Sequence, residues 1–187
     1  MIRDANELAM SRSDDAKVAW GLKEEGNELF ESGDFDGAIK FYNKALELFP
    51  RDPDLWNAKG RALRELERYD EAIECYDIAL EHYPKDTRIL NNKGIDLSNA
   101  RRHIEAIRCF DIALDVNPQD AGAWCNKGVT FSLLGWLEEA IECFETAIDI
   151  NSGLASAWHN KGVILLKLNR YKEAKKALTM AEKIGYS

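Results

Sequence analysis

Glycine returns at positions 26, 60, 94, 128 and 162, a step of 34 residues each time, and no insertion breaks the step. Strict repetition of this kind constrains a fold strongly. A short unit cannot bury its apolar face alone, so neighbouring copies stack in line instead of surrounding one central core. The residues around the glycines repeat too. Trp56–Gly60 reads W-N-A-K-G, and the phrase returns as L-N-N-K-G at Leu90–Gly94, W-C-N-K-G at Trp124–Gly128 and W-H-N-K-G at Trp158–Gly162. Leu22–Gly26, L-K-E-E-G, is a divergent first copy. Ala38, Ala72, Ala106, Ala140 and Ala174 keep the step, as do Ala45, Ala79, Ala113, Ala147 and Ala181. So do Tyr42, Tyr76, Phe110, Phe144 and Leu178. Five copies result, at 19–52, 53–86, 87–120, 121–154 and 155–187, in a single domain preceded by an extension at 1–18.

Each copy divides into two helices. In the second, Trp56, Lys59, Gly60 and Leu63 recur at helical spacing. Asp52 and Pro53 suit an N-cap and a first-turn proline. A break follows near Glu67 and Arg68. Ala72, Tyr76, Ala79 and Leu80 then share a face of a second helix that Pro84 ends. Glycine inside a helix costs about 1 kcal/mol relative to alanine. Five glycines at one repeat position therefore point to a close approach between paired helices, with the aromatics filling the gaps beside them. Cys75, Cys109 and Cys143 follow the same step, and no cysteines form a close pair. They read as reduced packing residues rather than metal ligands or disulfides.

The pattern W-x2-x-G-x2-L…A-x3-Y/F-x2-A…P, carried by residues 19–187, resembles the tetratricopeptide repeat. The resemblance implies an all-α fold, an α-solenoid in which antiparallel helix pairs wind into a right-handed superhelix. The chain departs from the family where Lys59, Lys93, Lys127 and Lys161 precede the glycines in place of the usual leucine, with Glu25 in the first copy. Lysine stems can lie along apolar surface there. In the last copy Glu182 takes the place of Leu46, Leu80, Leu114 and Ile148, and with Lys175, Lys176 and Lys183 it reads as a solvated C-terminal cap. Ile2, Ala5, Leu8 and Ala9 have weak helical spacing, suited to a helix that caps the first copy or to an arm that reaches another molecule.

The resemblance further implies a protein-interaction scaffold, not an enzyme, whose first helices line a concave groove for an extended peptide or a partner helix. Lys23, Asn27, Asn57, Arg61 and Arg64, with Glu24, Glu31, Asp54 and Glu65 on the same stripe, make the lining of the first two copies charged and mixed in sign, and Arg88 opens the third. Asn92, Asn126 and Asn160 then form a row backed by Ile95, Val129 and Val163, with Ser98 and Cys125 on the same stripe. Amides that both donate and accept suit a peptide backbone. The opening L-K-E-E-G-N also resembles repeats that clamp a chaperone's C-terminal carboxylate. Lys23 and Asn27 match that clamp and Arg88 could stand in for its lysine, whereas Ala58 and Asn92 depart from it. A structural module for homo-oligomers is a further alternative.

Composition excludes other classes. Against 25 basic residues stand 33 acidic ones, a net charge of −8, which is poorly suited to phosphate backbones. The N-terminus is charged where a secretion signal needs an apolar stretch, and no run approaches a membrane span. His82, His103 and His159 fall at unrelated repeat positions. No cofactor, metal, nucleic acid or membrane is expected, and the protein is expected to be cytoplasmic, a monomer or weak homo-oligomer.

Overall fold

The computed structural model describes the backbone of residues 5–185 and the side chains of residues 14–185. Among these are ten α-helices. They are α1 (Ala5–Glu31), α2 (Phe35–Leu48), α3 (Pro53–Glu65), α4 (Tyr69–His82), α5 (Thr87–Asn99), α6 (His103–Val116), α7 (Ala121–Leu134), α8 (Leu137–Ile150), α9 (Ala155–Lys167) and α10 (Tyr171–Ile184). Each odd-numbered helix packs against the even-numbered helix after it. The helices fall into two compact units, one ending at Pro84 and the other beginning at Lys85. The first unit holds the hairpins α1/α2 and α3/α4, and α2 packs on α3. The second holds α5/α6, α7/α8 and α9/α10, with α6 on α7 and α8 on α9. This is the expected all-α solenoid of antiparallel pairs.

The glycine series marks the closest approach within each hairpin. A Cβ at Gly60 would stand 2.5 Å from the Tyr76 ring, and one at Gly94 2.6 Å from the Phe110 ring. Nothing larger than hydrogen fits there, so the backbone of the first helix rests on the aromatic face of the second. Tyr42, Tyr76, Phe110 and Phe144 are at most 1% exposed, among alanines that are equally buried. Gly162 is the exception in kind, because it meets the aliphatic Leu178.

Entry into the hairpins and turning within them also repeat. The Asp52, Asp86 and Asp120 carboxylates accept backbone N–H bonds at the starts of α3, α5 and α7, satisfying donors a helix leaves open. Trp56, Trp124 and Trp158 each donate an indole N–H to a carbonyl six residues earlier, on Pro50, Pro118 and Ser152. Within each hairpin one residue takes positive φ: Gly33, Glu67, Arg101, Gly135 and Asn169. The predicted break near Glu67 is therefore a left-handed turn that three copies make without glycine.

The lysines before the glycines behave as their stems suggested. Lys59, Lys127 and Lys161 lie over Trp56, Trp124 and Trp158, with Nζ 5.1–5.9 Å from the rings. In the second unit two of them also cross to the preceding hairpin, Lys127 to Asp111 at 2.6 Å and Lys161 to Glu145 at 2.7 Å. At the N-terminus, α1 runs unbroken from Ala5, so residues 5–18 continue the first helix of the first copy. Ile2 lies outside the described residues, as do the side chains of Ala5, Leu8 and Ala9.

Candidate functional site

The odd-numbered helices carry the side chains that the sequence assigns to a groove, and each unit presents its own set. In the first unit these are Lys23 and Asn27 on α1 and Asn57, Arg61 and Arg64 on α3. Most are engaged within the unit. Lys23 Nζ lies 3.8 Å from Asp54. The Tyr42 hydroxyl donates to Asn27 Oδ1 at 3.0 Å, Arg64 donates to the Tyr76 hydroxyl at 3.2 Å, and the Arg61 guanidinium sits 5.0 Å above the Phe30 ring. Burial raises the pKa of Tyr42, opposed by the Arg61 charge, so the phenol stays protonated and able to donate. Asn27, Phe30, Glu31, Tyr42, Ala58 and Arg61 line a recess of about 290 Å³. Trp20, 66% exposed, stands at a smaller one.

In the second unit Arg88, Asn92 and Ile95 lie on α5, Asn126 and Val129 on α7, and Asn160 and Val163 on α9. Arg88 pairs with Asp86 at 2.9 Å, at the start of its own helix. Asn126 Nδ2 donates to Asn91 Oδ1 at 3.1 Å, tying α7 to α5. Asn160 Nδ2 makes the corresponding approach to Cys125 Sγ, 4.0 Å away on α7. One amide N–H of each asparagine thus stitches neighbouring hairpins. Val129 and Val163 are half-buried, while Leu133 and Leu166 stand exposed.

Two stripe positions differ from expectation. Ser98 and Cys125 are buried, 7% and 6% exposed. Ser98 accepts from Thr130 Oγ1, which also lies 3.0 Å from the Asn126 carbonyl. The next hairpin covers these small residues, so they belong to the seam between hairpins and not to an open face. Thr130 is a polar seam residue that periodicity alone does not expose, and Asp96 on α5 is fully buried. The four cysteines are free and buried. Burial pushes the Cys75 and Cys143 thiols up to about 11 and raises Cys125 as well. They are protonated at neutral pH and poor nucleophiles. Among the described residues no His, Cys, Asp and Glu side chains gather in a group that could hold a metal ion. No helix there is long and apolar enough to cross a membrane.

Residues 23–87, 121–153 and 143–176 each match a sequence profile of the tetratricopeptide repeat. The chain belongs to the tetratricopeptide-repeat family. Solved structures agree on the fold of these tetratricopeptide repeats. PilF of Pseudomonas aeruginosa is 22% identical with a TM-score of 0.82, over 92% of this chain and 78% of that one. YrrB, described as a TPR protein with an unusual peptide-binding site, is 24% identical with a TM-score of 0.69, over 97% and 93%. A stretch of 32 residues, 17% of the chain, is 53% identical to Protein PHOX3 of Arabidopsis thaliana and spans only 4% of that protein's length. The tetratricopeptide architecture is that of a protein-interaction scaffold.

Proposed function

We propose that the faces of α5, α7 and α9 in the second unit hold an extended segment of a partner polypeptide. The observation that carries this reading is the placement of Asn126 and Asn160 beside Val129 and Val163, with Leu133 and Leu166 exposed nearby. Each asparagine spends one N–H on the neighbouring hairpin, which fixes its rotamer and leaves its carbonyl oxygen and second N–H to pair with a peptide backbone. The valines and leucines supply contact for the peptide's side chains. Pre-set amides of this kind lower the ordering cost of binding. A solved relative by fold, YrrB, is described as having a peptide-binding site. The residues matching a carboxylate clamp support that alternative less, since Lys23, Asn27 and Arg88 all have intramolecular partners.

The test is selection of peptides from a displayed library on the wild-type protein, followed by affinity measurement on variants. Asn126→Ala with Asn160→Ala is expected to weaken selected peptides by roughly tenfold or more, the loss of one to two net hydrogen bonds. Circular dichroism should show the helical content unchanged. Peptides that bind the double variant as tightly as wild type would overturn the reading.

A further inference from the structure

The inner seams between hairpins set a template for the two outermost helices. At those seams the second helix of a hairpin contributes buried aliphatics: Ile39 and Leu46 on α2, and Ile141 and Ile148 on α8. The helix that follows contributes buried Ala62 on α3, Thr130 on α7 and Ile164 on α9. In the second unit an ion pair runs along the edge, with lysine on the later helix and acid on the earlier one. On α10 and α1 the same register carries charge. Lys175 stands where Ile39 and Ile141 stand, and Glu182 where Leu46 and Ile148 stand. Glu28 stands where Ala62, Asp96, Thr130 and Ile164 stand, all of them buried, and Glu25 where Lys59, Lys93, Lys127 and Lys161 stand. Lys175, Glu182, Glu28 and Glu25 are exposed.

These outer faces differ in net sign. α10 exposes Lys172, Lys175, Lys176 and Lys183 against Glu173 and Glu182, and α1 exposes Glu24, Glu25 and Glu28. Glu173 pairs with Arg170 and also feels the Lys176 charge, whereas the other three lysines and the three α1 glutamates form no ion pair among the described residues. Polar end faces alone would keep the protein soluble whatever their sign. Separation into a basic and an acidic face does more, because it makes the two surfaces attract each other while each repels its own kind. Beside α1, a Cβ at Gly21 would meet nothing within 4 Å, so a neighbouring helix can come close.

We propose that α10 of one molecule docks on α1 of a second copy of this chain, Lys175 and Lys176 against Glu25 and Glu28. The contact sets the last helix of one chain beside the first helix of the next, and its charges run opposite to those of the inner ion pairs, with lysine on the earlier helix and acid on the later one. It is heterologous, using a different surface on each partner. Because it rests on exposed charges it is weak and salt-sensitive. It goes beyond the peptide-binding reading and uses none of its residues.

Sedimentation velocity over a range of concentrations tests it. In dilute salt the weight-average sedimentation coefficient of the wild type is expected to rise with concentration, and to stop rising in about 0.5 M salt, where screening is nearly complete within a few ångström. Lys175→Glu with Lys176→Glu, and separately Glu25→Lys with Glu28→Lys, should each stay monomeric, since the residues that meet across the contact then carry one sign. An equimolar mixture of the two variants should associate again, because every basic face regains an acidic partner. Circular dichroism confirms that the variants fold, as all four positions are exposed. Asn126→Ala/Asn160→Ala should associate like wild type, which keeps this proposal separable from peptide binding. A monomeric wild type in dilute salt overturns it; so does association that survives either reversal, or a mixture that stays monomeric.

Discussion

In the first unit, α1 and α3 present lysine, arginine and an exposed tryptophan, and these charges are largely engaged: Lys23 with Asp54, Arg64 with Tyr76, Arg61 over Phe30. In the second, α7 and α9 present neutral amides and valines, and the amides bond from hairpin to hairpin. Both rest on one frame, with glycine on aromatic, alanine at the crossing and a left-handed turn between the helices. What varies lies outside the glycine–aromatic and alanine contacts of each hairpin, even where, as with Arg64 and Tyr76, a varying side chain bonds within its own hairpin. Surface chemistry can therefore change from unit to unit at little cost in folding, and the frame itself can be probed by asking where the units are not equivalent.

The largest difference is expected at the glycines. At Gly60, in the first unit, an alanine methyl would run into the fully buried Tyr76 ring. At Gly162, in the second, it would meet the half-buried aliphatic chain of Leu178, which can shift more readily than a ring, with the Leu178 backbone nitrogen behind it at 3.3 Å. Gly60→Ala is expected to destabilise by about 1–3 kcal/mol from overpacking. For Gly162→Ala, the helix-propensity gain of about 1 kcal/mol should offset most of the strain. Thermal unfolding followed by circular dichroism checks this, and equal shifts for the two variants would show that the rings are not what holds the glycines in place.

A smaller effect separates the turns. Gly33 and Gly135 take positive φ freely, whereas Glu67 and Arg101 carry a Cβ in the same conformation. Glu67→Gly and Arg101→Gly should each stabilise, and Gly135→Ala should destabilise, by about 1 kcal/mol. Urea denaturation midpoints report the sign, and a loss of stability in both glycine variants would contradict the turn argument.

The smallest effect concerns acid. Hydrogen bonds from Arg68, Arg102 and Arg170 hold the carboxyls of Glu71, Glu105 and Glu173 below the usual glutamate range. A carboxyl lowered on folding contributes stability above its unfolded pKa and loses it as pH falls through the folded value. One such pair lies in the first unit and two in the second. Arg102→Ala should leave the melting temperature near its wild-type value at low pH, where the carboxyl is protonated in either case, and lower it slightly at pH 7. A change of equal size at both pH values would assign Arg102 a packing role instead.

Much of this frame can be read from the sequence, because packing demands that recur with the period show up as the period. The Gly60–Tyr76 approach, the Asp52 cap, the lysine stems on tryptophan and the buried cysteines are all of that kind. The left-handed turns are hidden because Glu67, Arg101 and Asn169 mask what Gly33 and Gly135 alone suggest. Ser98 and Cys125 share a helical stripe with open positions, and only the placement of the next hairpin decides that they are covered. The bond between Asn126 and Asn91 joins residues 35 apart, a pairing no local pattern specifies. The faces of the candidate site are thus legible as residue choices, while the commitments those residues already have within the fold are not.

The buried thiols give each unit a built-in clock. A thiol-modifying reagent reaches Cys75 only when the first unit opens, and Cys143 only when the second does. Modification rates read by mass spectrometry would then time the breathing of each half of the chain in one tube, with no label added and no residue changed.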